Sequence, residues 1–427
     1  MIDNISHPEW SFNSNIYEVN IRQYTVEGTF NAFAKHLPRL KDMGVEILWF
    51  MPITPISLKD RKGTLGSYYA VQNYTETNPE FGSVEDFSNL VKNAQTMGFK
   101  VIIDWVANHT GNDNIWIDIH PDFFCYDKET KQIIHPNGWE DVSKLNFDSG
   151  DMQDAMIEAM KFWITCAGID GFRCDMAHLV ILDFWKKTKS ELDKVKTGLF
   201  WLAECEEPEY HQVFDATYTW QWMHKTEEFI KNNEQVEKLF DVLMHYDSAF
   251  PKDAFRTYFT SNHDENSWNG TEFEKYGNAA KLFAVFSCTW NGLPMIYSGQ
   301  ELPCYKRLKF FDKDQIDWGA NSLLHDFYKT LLSLRKTNSA LCAGDINIIT
   351  QKLSTNRDDK VFAFLRSSQD DGVLTILNFS DELIEVDLKN ITGVFKNVFT
   401  GQHFYARLNS ILEAEPWGYY VFERTES

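Results

Sequence analysis

Two charged side chains lie two residues apart in the stretch from Gly168 to His178, which reads Gly-Ile-Asp-Gly-Phe-Arg-Cys-Asp-Met-Ala-His. This stretch is typical of a short buried strand, on which alternate side chains share a face, so Arg173 and Asp175 point the same way. A nearby guanidinium lowers the pKa of an aspartate and keeps it ionised. The pattern predicts a nucleophilic carboxylate at Asp175; the alternative for an isolated pair of this kind is a structural ion pair.

Two further acidic residues follow apolar runs in the same way. Glu204 follows Trp201-Leu202-Ala203, and Asp264 follows Asn262-His263. Burial on an apolar strand raises the pKa of a carboxyl group, so Glu204 is predicted to be protonated where Asp175 is ionised. Two carboxyl groups in these opposite states are what a retaining glycosidase needs, because one attacks the anomeric carbon while the other protonates the leaving oxygen.

The elements that must position these residues repeat along most of the chain. Apolar, strand-like runs alternate with helical patterns, which predicts a parallel sheet buried on both faces. Eight such units predict an α/β fold closed into a (β/α)8 TIM barrel, with the acidic residues at the carboxyl ends of strands four, five and seven. The predicted strands cover 16–20, 45–51, 100–106, the stretch from 168, 198–204, 214–220, 256–261 and 294–298, and the predicted helices cover 30–43, 84–97, 151–167, 179–195, 227–244, 276–289 and 323–335.

The texture of the sequence changes after the eighth unit. From about Gly344 short alternating runs such as 361–365 and 373–377 are separated by turn residues, which predicts an antiparallel all-β domain. We therefore expect a catalytic barrel over residues 1–342 and a C-terminal β-sandwich over 343–427. A segment rich in Trp, Phe, Asp and His, at about 109–147, is too long for a simple loop and is predicted to be a short insertion after strand three.

Four short motifs carry a resemblance to a known family. Asp104-Trp105-Val106-Ala107-Asn108-His109, Gly171-Phe172-Arg173-Cys174-Asp175, Ala203-Glu204 and Ser261-Asn262-His263-Asp264 occur in this order on predicted strands three, four, five and seven. Each motif is weak alone, but together they resemble the four signatures of the α-amylase family of glycoside hydrolases. The resemblance extends over the whole chain.

The resemblance implies a role for each matching residue. Asp175 is the expected nucleophile, Glu204 the expected acid/base, and Asp264 the residue that stabilises the transition state by bonding sugar hydroxyls, with His109 and His263 beside it. The stretch Gly66–Tyr74 resembles the one whose tyrosine stacks on the sugar being cleaved, and alignment favours Tyr69 over Tyr68. We accordingly predict substrate-binding roles for Tyr69, His109, Arg173 and His263.

Two departures from the family pattern bear on substrate and metal. Many members have Lys-His three and four residues after the nucleophile, where this chain has His178-Leu179, and whether His178 contacts the leaving group or only caps the strand stays open. The family's calcium site uses the position of Asn108 and an aspartate where this chain has Lys144. A lysine cannot ligate a cation, so we predict no calcium there and no cofactor.

Bulk properties exclude several partner classes. The formal net charge is −21 and the sequence pI is about 5.0, which argues against nucleic acid and an anionic membrane surface as partners. No 18-residue apolar run and no signal peptide occur, so a cytoplasmic location is expected. The seven cysteines form no Cys-x-x-Cys pair and are predicted to be buried free thiols.

These inferences predict a retaining hydrolase that cleaves α-1,4-glucosidic bonds of starch-derived malto-oligosaccharides through a covalent glycosyl-enzyme intermediate. The expected partner is an α-glucan or malto-oligosaccharide. Two alternatives stay open: an α-glucan transglycosylase or trehalose-synthase-like isomerase with the same chemistry, and a catalytically silent sugar-binding scaffold. The presence of all three carboxylates argues against the scaffold.

Overall fold

Eight parallel strands form a closed barrel in the computed structural model, which describes residues 6–232, 234–319, 323–369, 371–407 and 410–426. Each strand pairs with the next along the chain, and the eighth returns to pair with the first. The predicted (β/α)8 fold is therefore confirmed. The strands are β1 (Ile16–Val19), β2 (Ile47–Phe50), β3 (Lys100–Trp105), β4 (Gly171–Cys174), β5 (Phe200–Ala203), β6 (Ala216–Tyr218), β7 (Phe255–Tyr258) and β8 (Leu293–Tyr297).

Apolar side chains fill both faces of these strands. One set, which includes Ile47, Trp49 and Leu202, packs inside the barrel, and a larger set packs between the strands and the surrounding helices. The strand that carries Arg173 starts at a glycine for a steric reason. A Cβ atom on Gly171 would lie 1.9 Å from the backbone oxygen of Phe200, so only glycine lets β4 approach β5 this closely.

Helices cover the outside of the barrel and end close to the predicted positions in most units. The helices of four or more residues are Ile21–Tyr24, Phe30–Ala34, Leu37–Met43, Val84–Thr96, Trp116–Ile119, Gly150–Ala167, Leu182–Asp193, Trp220–Asn232, Val236–Ala249, Glu272–Tyr276, Ala280–Thr289 and His325–Thr337. Short 3-10 or π turns occur at Glu9–Ser11, Pro121–Phe123, Pro136–Gly138, Ala177–Leu179, Pro208–Gln212, Glu265–Asn269, Gly277–Ala279 and Ser339–Leu341.

Three predicted helices were wrong as single segments. Residues 30–43 form two helices, because a new helix starts at Leu37 with a proline in its first turn, where proline is tolerated. Residues 227–244 fall in two helices, Trp220–Asn232 and Val236–Ala249, since the buried face of the first starts directly after β6. Residues 276–289 are divided by the turn at Gly277, whose φ of 53° lies in the left-handed region.

The C-terminal part of the chain is antiparallel and all-β, as predicted. Six strands form one sheet and two form another, and their inner faces enclose a separate apolar core. Arg366 joins this part to the barrel by donating hydrogen bonds to the backbone oxygens of Trp290 and Cys342. The strands are Ile349–Leu353, Val361–Ser367, Gly372–Asn378, Ile384–Asp387, Gly393–Asn397, His403–Ala406, Ile411–Ala414 and Tyr419–Glu426.

The segment between β3 and the next long helix contains an antiparallel pair of short strands, His109–Gly111 and Val142–Lys144. Short helical turns occupy part of the chain between these two strands. This segment lies at the carboxyl ends of the barrel strands, because its residues line one cavity together with side chains from the ends of β4 and β5 and from the loop after β7.

The predictions about membrane-spanning segments and about cysteines can both be compared with the structure. Within the described part of the chain, no helix has the length and apolarity needed to cross a membrane. Cys174, Cys205 and Cys288 are buried and unpaired, but Cys166 is exposed, so the prediction that all seven thiols are buried was wrong. Cys166 lies near the end of the helix Gly150–Ala167, outside the set of its residues that pack toward the barrel.

Candidate active site

A cavity of about 220 Å³ opens at the carboxyl ends of the barrel strands. It brings together Asp175, Glu204 and Asp264 with Tyr69 and His109, although these five residues come from the chain segments after β4, β5, β7, β2 and β3, respectively. Such convergence is what the barrel topology produces, because all parallel strands end at one face.

Arg173 lies beneath the cavity and does not line it. Its side chain is completely buried, and one nitrogen, Nη1, donates to Asp104 at 2.8 Å and to Asp175 at 3.1 Å. The other, Nη2, forms an ion pair of 2.8 Å with Glu204. One fixed cation therefore holds both of the carboxylates that were predicted to do the chemistry.

The pKa values of that carboxylate pair are displaced by burial and by each other's charge. Burial and the neighbouring Glu204 charge raise the pKa of Asp175 well above its ordinary value, although Arg173 opposes them. Burial would also raise the pKa of Glu204, but the Arg173 charge and a hydrogen bond from the backbone N–H of Met176 (2.9 Å) outweigh it and lower that pKa. The two pKa values are thus displaced in directions opposite to those expected from the sequence, because Arg173 contacts both groups.

The backbone after Asp175 is bent to make that contact. Met176 has φ 42° and ψ 46°, a left-handed conformation that a side chain makes unfavourable. The conformation aims its N–H at Glu204 Oε2. Strain of this kind is concentrated at functional sites, where the surrounding structure enforces it.

A second buried network holds the rings above the barrel. The Tyr69 hydroxyl donates to Asp104 Oδ2 at 2.9 Å and also lies 2.7 Å from His263 Nε2. The other ring nitrogen, His263 Nδ1, lies 2.5 Å from Glu18 Oε1. Because the single Tyr69 proton goes to Asp104, the full set of hydrogen bonds requires His263 to donate from both nitrogens, which means that its imidazole is charged.

The electrostatics agree with a charged His263. Burial lowers its pKa, but Asp264 and Glu18 more than compensate and raise the pKa to about 9. His263 Nε2 also lies 3.4 Å from Asp264 Oδ2, and burial raises the pKa of that carboxyl group. His263 is not among the residues that line the cavity, but it contacts Asp264 and Tyr69, which do line it.

His109 and Tyr69 lie on the wall of the cavity. Burial lowers the pKa of His109 to about 4, so its ring is neutral, and it packs edge-to-face on Trp139 with ring centres 5.5 Å apart. Tyr69 lies in the cavity wall, whereas Tyr68 turns away and donates its hydroxyl proton to Asn20. The preference for Tyr69 over Tyr68 is consistent with this placement.

Several residues of the cavity and its supports were not anticipated from the sequence. Glu18 on β1 gave no signal beyond a single acidic residue in an apolar strand, and Lys62 and Asp141 lie in loops without a motif. Trp139, Trp268 and Phe310 also line the cavity. Surplus aromatic residues in long loops were the available signal for these three.

His178 is exposed in the short turn Ala177–Leu179 and is not among the residues that line the cavity.

The residues at the family's calcium position do not fit a calcium ion. Lys144 presents an exposed ammonium there, in register with His109, and the Asn108 amide nitrogen lies 3.2 Å from His109 Nδ1. Calcium needs six to eight oxygen ligands, of which several are usually carboxylates. Among the described residues, no group of three or more His, Cys, Asp or Glu side chains is arranged to hold a metal.

Comparison with known proteins identifies the family. Residues 10–142 and 116–317 match the profile described as "Alpha amylase, catalytic domain", and residues 352–421 match "Maltogenic Amylase, C-terminal domain". Alpha-amylase 2 of Dictyoglomus thermophilum is 25% identical over 94% of this chain and 75% of its own length, and a cyclomaltodextrinase of a Bacillus species is 24% identical over 82% of this chain and 65% of its own. The crystal structure of a noncanonic maltogenic alpha-amylase from Thermotoga neapolitana has a TM-score of 0.89 at 28% identity and covers 97% of this chain and 99% of its own.

A barrel with three convergent carboxylates is consistent with a glycoside hydrolase. The catalytic-domain profile covers most of the barrel, so the chain belongs to the α-amylase family of glycoside hydrolases. Its activity class is α-glucan hydrolysis.

Proposed function

We propose that this protein is a retaining hydrolase of α-1,4-glucosidic bonds in malto-oligosaccharides. The observation that carries the proposal is the contact of one buried guanidinium with two carboxylates: Arg173 reaches Asp175 at 3.1 Å and Glu204 at 2.8 Å, and both line the same cavity. Contact with one guanidinium brings the two carboxyl groups near each other, and in retaining enzymes such a pair is about 5–5.5 Å apart, so that the carboxylate itself attacks.

In the first step, Asp175 attacks the anomeric carbon while Glu204 protonates the leaving oxygen. This step needs Asp175 ionised and Glu204 protonated, so the pair must hold one proton, and that proton must lie on Glu204 when the glycosidic bond breaks. In the second step Glu204 takes a proton from water, and the water oxygen attacks the face that the leaving group had occupied and displaces Asp175 from the opposite face, so the α-configuration is retained.

The neighbouring residues position the sugar and its charge. Asp264 faces the cavity beside the charged His263, so it is the group to accept hydrogen bonds from sugar hydroxyls. The Tyr69 ring, fixed by Asp104 and His263, offers a flat face to the apolar side of the sugar. Arg173 and His263 act as positioning residues in this scheme, since neither lines the cavity.

The experiment is product analysis after incubation with maltoheptaose, with the anomeric configuration followed by NMR from the first minutes. Shorter maltodextrins released as α-anomers are expected. Release of β-anomers would contradict retention, and longer or rearranged products without new reducing ends would replace hydrolysis by transglycosylation. No product from maltoheptaose would contradict the proposed substrate.

A further inference from the structure

An ion pair outside the four signature motifs lines the cavity. Lys62 Nζ, in the loop after β2, lies 2.6 Å from Asp141 Oδ1, in the segment after β3. Both residues line the same cavity as Asp175 and Glu204. The Asp141 side chain is 8% exposed and that of Lys62 is 41% exposed, so the pair reaches from the buried wall to the opening.

The loop that carries Lys62 is fixed on two sides. Toward β8, Thr64 donates to Asp312 Oδ1 from its backbone N–H (2.9 Å) and its hydroxyl (2.6 Å), and the backbone N–H of Leu65 donates to the Phe311 oxygen. A Cβ atom on Gly63 would lie 2.5 Å from Phe311 Cβ, so the two segments are in close contact.

The second anchor lies toward β3. The side-chain amide of Asn112 donates at 2.8 Å to both Asp60 Oδ2 and the backbone oxygen of Glu140. Asn112 thus joins the two loops that carry Lys62 and Asp141. Anchors on both sides make the ion pair part of a wall and not a mobile surface contact.

The topology indicates which end of the sugar this wall faces. In the barrel order, β1 lies opposite β5, and β2 and β8 flank β1. Lys62 follows β2, and the next residues of its loop, Thr64 and Leu65, contact the segment after β8, so the wall stands across the barrel from Glu204, which follows β5. Since Glu204 protonates the leaving group in the proposed mechanism, the wall stands on the side of the sugar that becomes attached to Asp175.

We propose that Lys62 and Asp141 close the glycone end of the cleft, so that the enzyme binds the non-reducing end of a maltodextrin and releases a short product. This inference rests on the proposed function and adds the mode of action to it. The cavity volume of about 220 Å³ lies below the roughly 300–1,000 Å³ that ligand pockets usually enclose, so it leaves room for only a short piece of a maltodextrin.

The test compares 4-nitrophenyl maltoheptaoside with the same compound blocked at its non-reducing end by a 4,6-ethylidene group. The wild-type enzyme is expected to cleave the free substrate and to cleave the blocked one far more slowly. Equal rates on both would overturn the closed end while leaving the proposed function intact. Failure to cleave either substrate, or maltoheptaose itself, would instead contradict the proposed function.

Two variants locate the effect at the ion pair. In Lys62→Ala and in Asp141→Asn, the ratio of blocked to free rates is expected to rise by about tenfold or more, as it would if about 1.4 kcal/mol of exclusion were removed. Longer products should appear with them. Lys59→Ala, at an exposed lysine of the same loop, is the matched control and should keep the wild-type ratio.

The variants also distinguish a wall from a sugar-binding contact. If Lys62 and Asp141 bound sugar hydroxyls within an open cleft, both variants would lower the rate on both substrates and leave the ratio and product lengths unchanged, and the proposal would be wrong. Thermal unfolding of each variant checks that it is folded. If Lys62→Ala does not fold, Asp141→Asn and the wild-type rate ratio still decide the outcome.

Discussion

Substitution of Glu18 by glutamine tests how the charge on His263 supports the site. Glu18 is completely buried on β1 and contacts His263 Nδ1, while His263 Nε2 contacts Tyr69 and Asp264. A glutamine side chain would keep the shape and could still accept one hydrogen bond, but it removes the negative charge. Arg173 and Asp104 also act on this network, and both are unchanged in the variant.

The magnitude follows from the pKa of His263. Its rise from 6.5 to about 9 corresponds to roughly 3 kcal/mol in favour of the charged ring, at about 1.4 kcal/mol per unit. Because a raised histidine pKa stabilises the protonated form, this contribution is complete below 6.5 and is lost as the pH rises through about 9. Glu18 and Asp264 both raise the pKa of His263. In Glu18→Gln we therefore expect the alkaline limb of the kcat/KM profile to move to lower pH by about one unit or more.

The assay is a pH–rate profile on a chromogenic maltodextrin, with thermal unfolding as the check on folding. The exposed Glu76 provides the matched control, and Glu76→Gln should leave the limb in place. A uniform loss of activity at every pH, with the alkaline limb unmoved, would refute the role of Glu18 in holding His263 charged. It would reduce Glu18 to a packing residue.

Three further outcomes are expected. Asp175→Asn should lower turnover by several orders of magnitude, because an amide cannot attack. It should not lower the melting temperature, because burial raises the pKa of Asp175 and its ionisation therefore opposes folding increasingly as the pH rises above 3.8. A melting temperature well below that of the wild type would contradict this reasoning. Glu204→Gln should slow substrates with poor leaving groups far more than those with good ones in the first step, and equal loss on all substrates would count against an acid role. Prolonged dialysis against a chelator should change neither activity nor melting temperature, because Lys144 stands at the family's calcium position, and a loss restored by calcium would show that reasoning to be wrong.

The barrel could be predicted because its strands are simple to recognise. Parallel strands buried on both faces read as continuous apolar runs, and Ile47–Phe50 and Phe200–Ala203 are of this kind. The convergence of Asp175, Glu204 and Asp264 then follows from topology alone. Helix limits were harder, since the break before Leu37 and the start at Trp220 depend on packing against neighbouring elements.

The electrostatics of the site could not be predicted in the same way. Arg173 lies two residues from Asp175, but its closer partners are Asp104 and Glu204, which are distant in sequence. The directions in which the pKa values of Asp175 and Glu204 are displaced depend on those contacts and on the left-handed backbone of Met176. The linear order of residues does not reveal these contacts or this backbone conformation.

Long-range pairs between loops escaped notice for a related reason. Lys62 and Asp141 belong to different loops that meet only when β2 pairs with β3, and each is an ordinary charged residue in its own surroundings. Glu18 was missed as well, because its partner His263 lies at the opposite end of the barrel sequence, and only the pairing of β1 with β8 brings the first and last units together.

The most direct test of the account is to trap the covalent intermediate. The enzyme is incubated with 5-fluoro-α-glucosyl fluoride, whose fluorine at C5 slows release of the sugar attached to the enzyme. Peptides of the enzyme are then analysed by mass spectrometry. We predict one added fluoroglucosyl group on the peptide that contains Asp175, and none on that peptide in Asp175→Asn. A label on Glu204, or no label with β-anomers as the first products of maltoheptaose, would contradict the proposed mechanism.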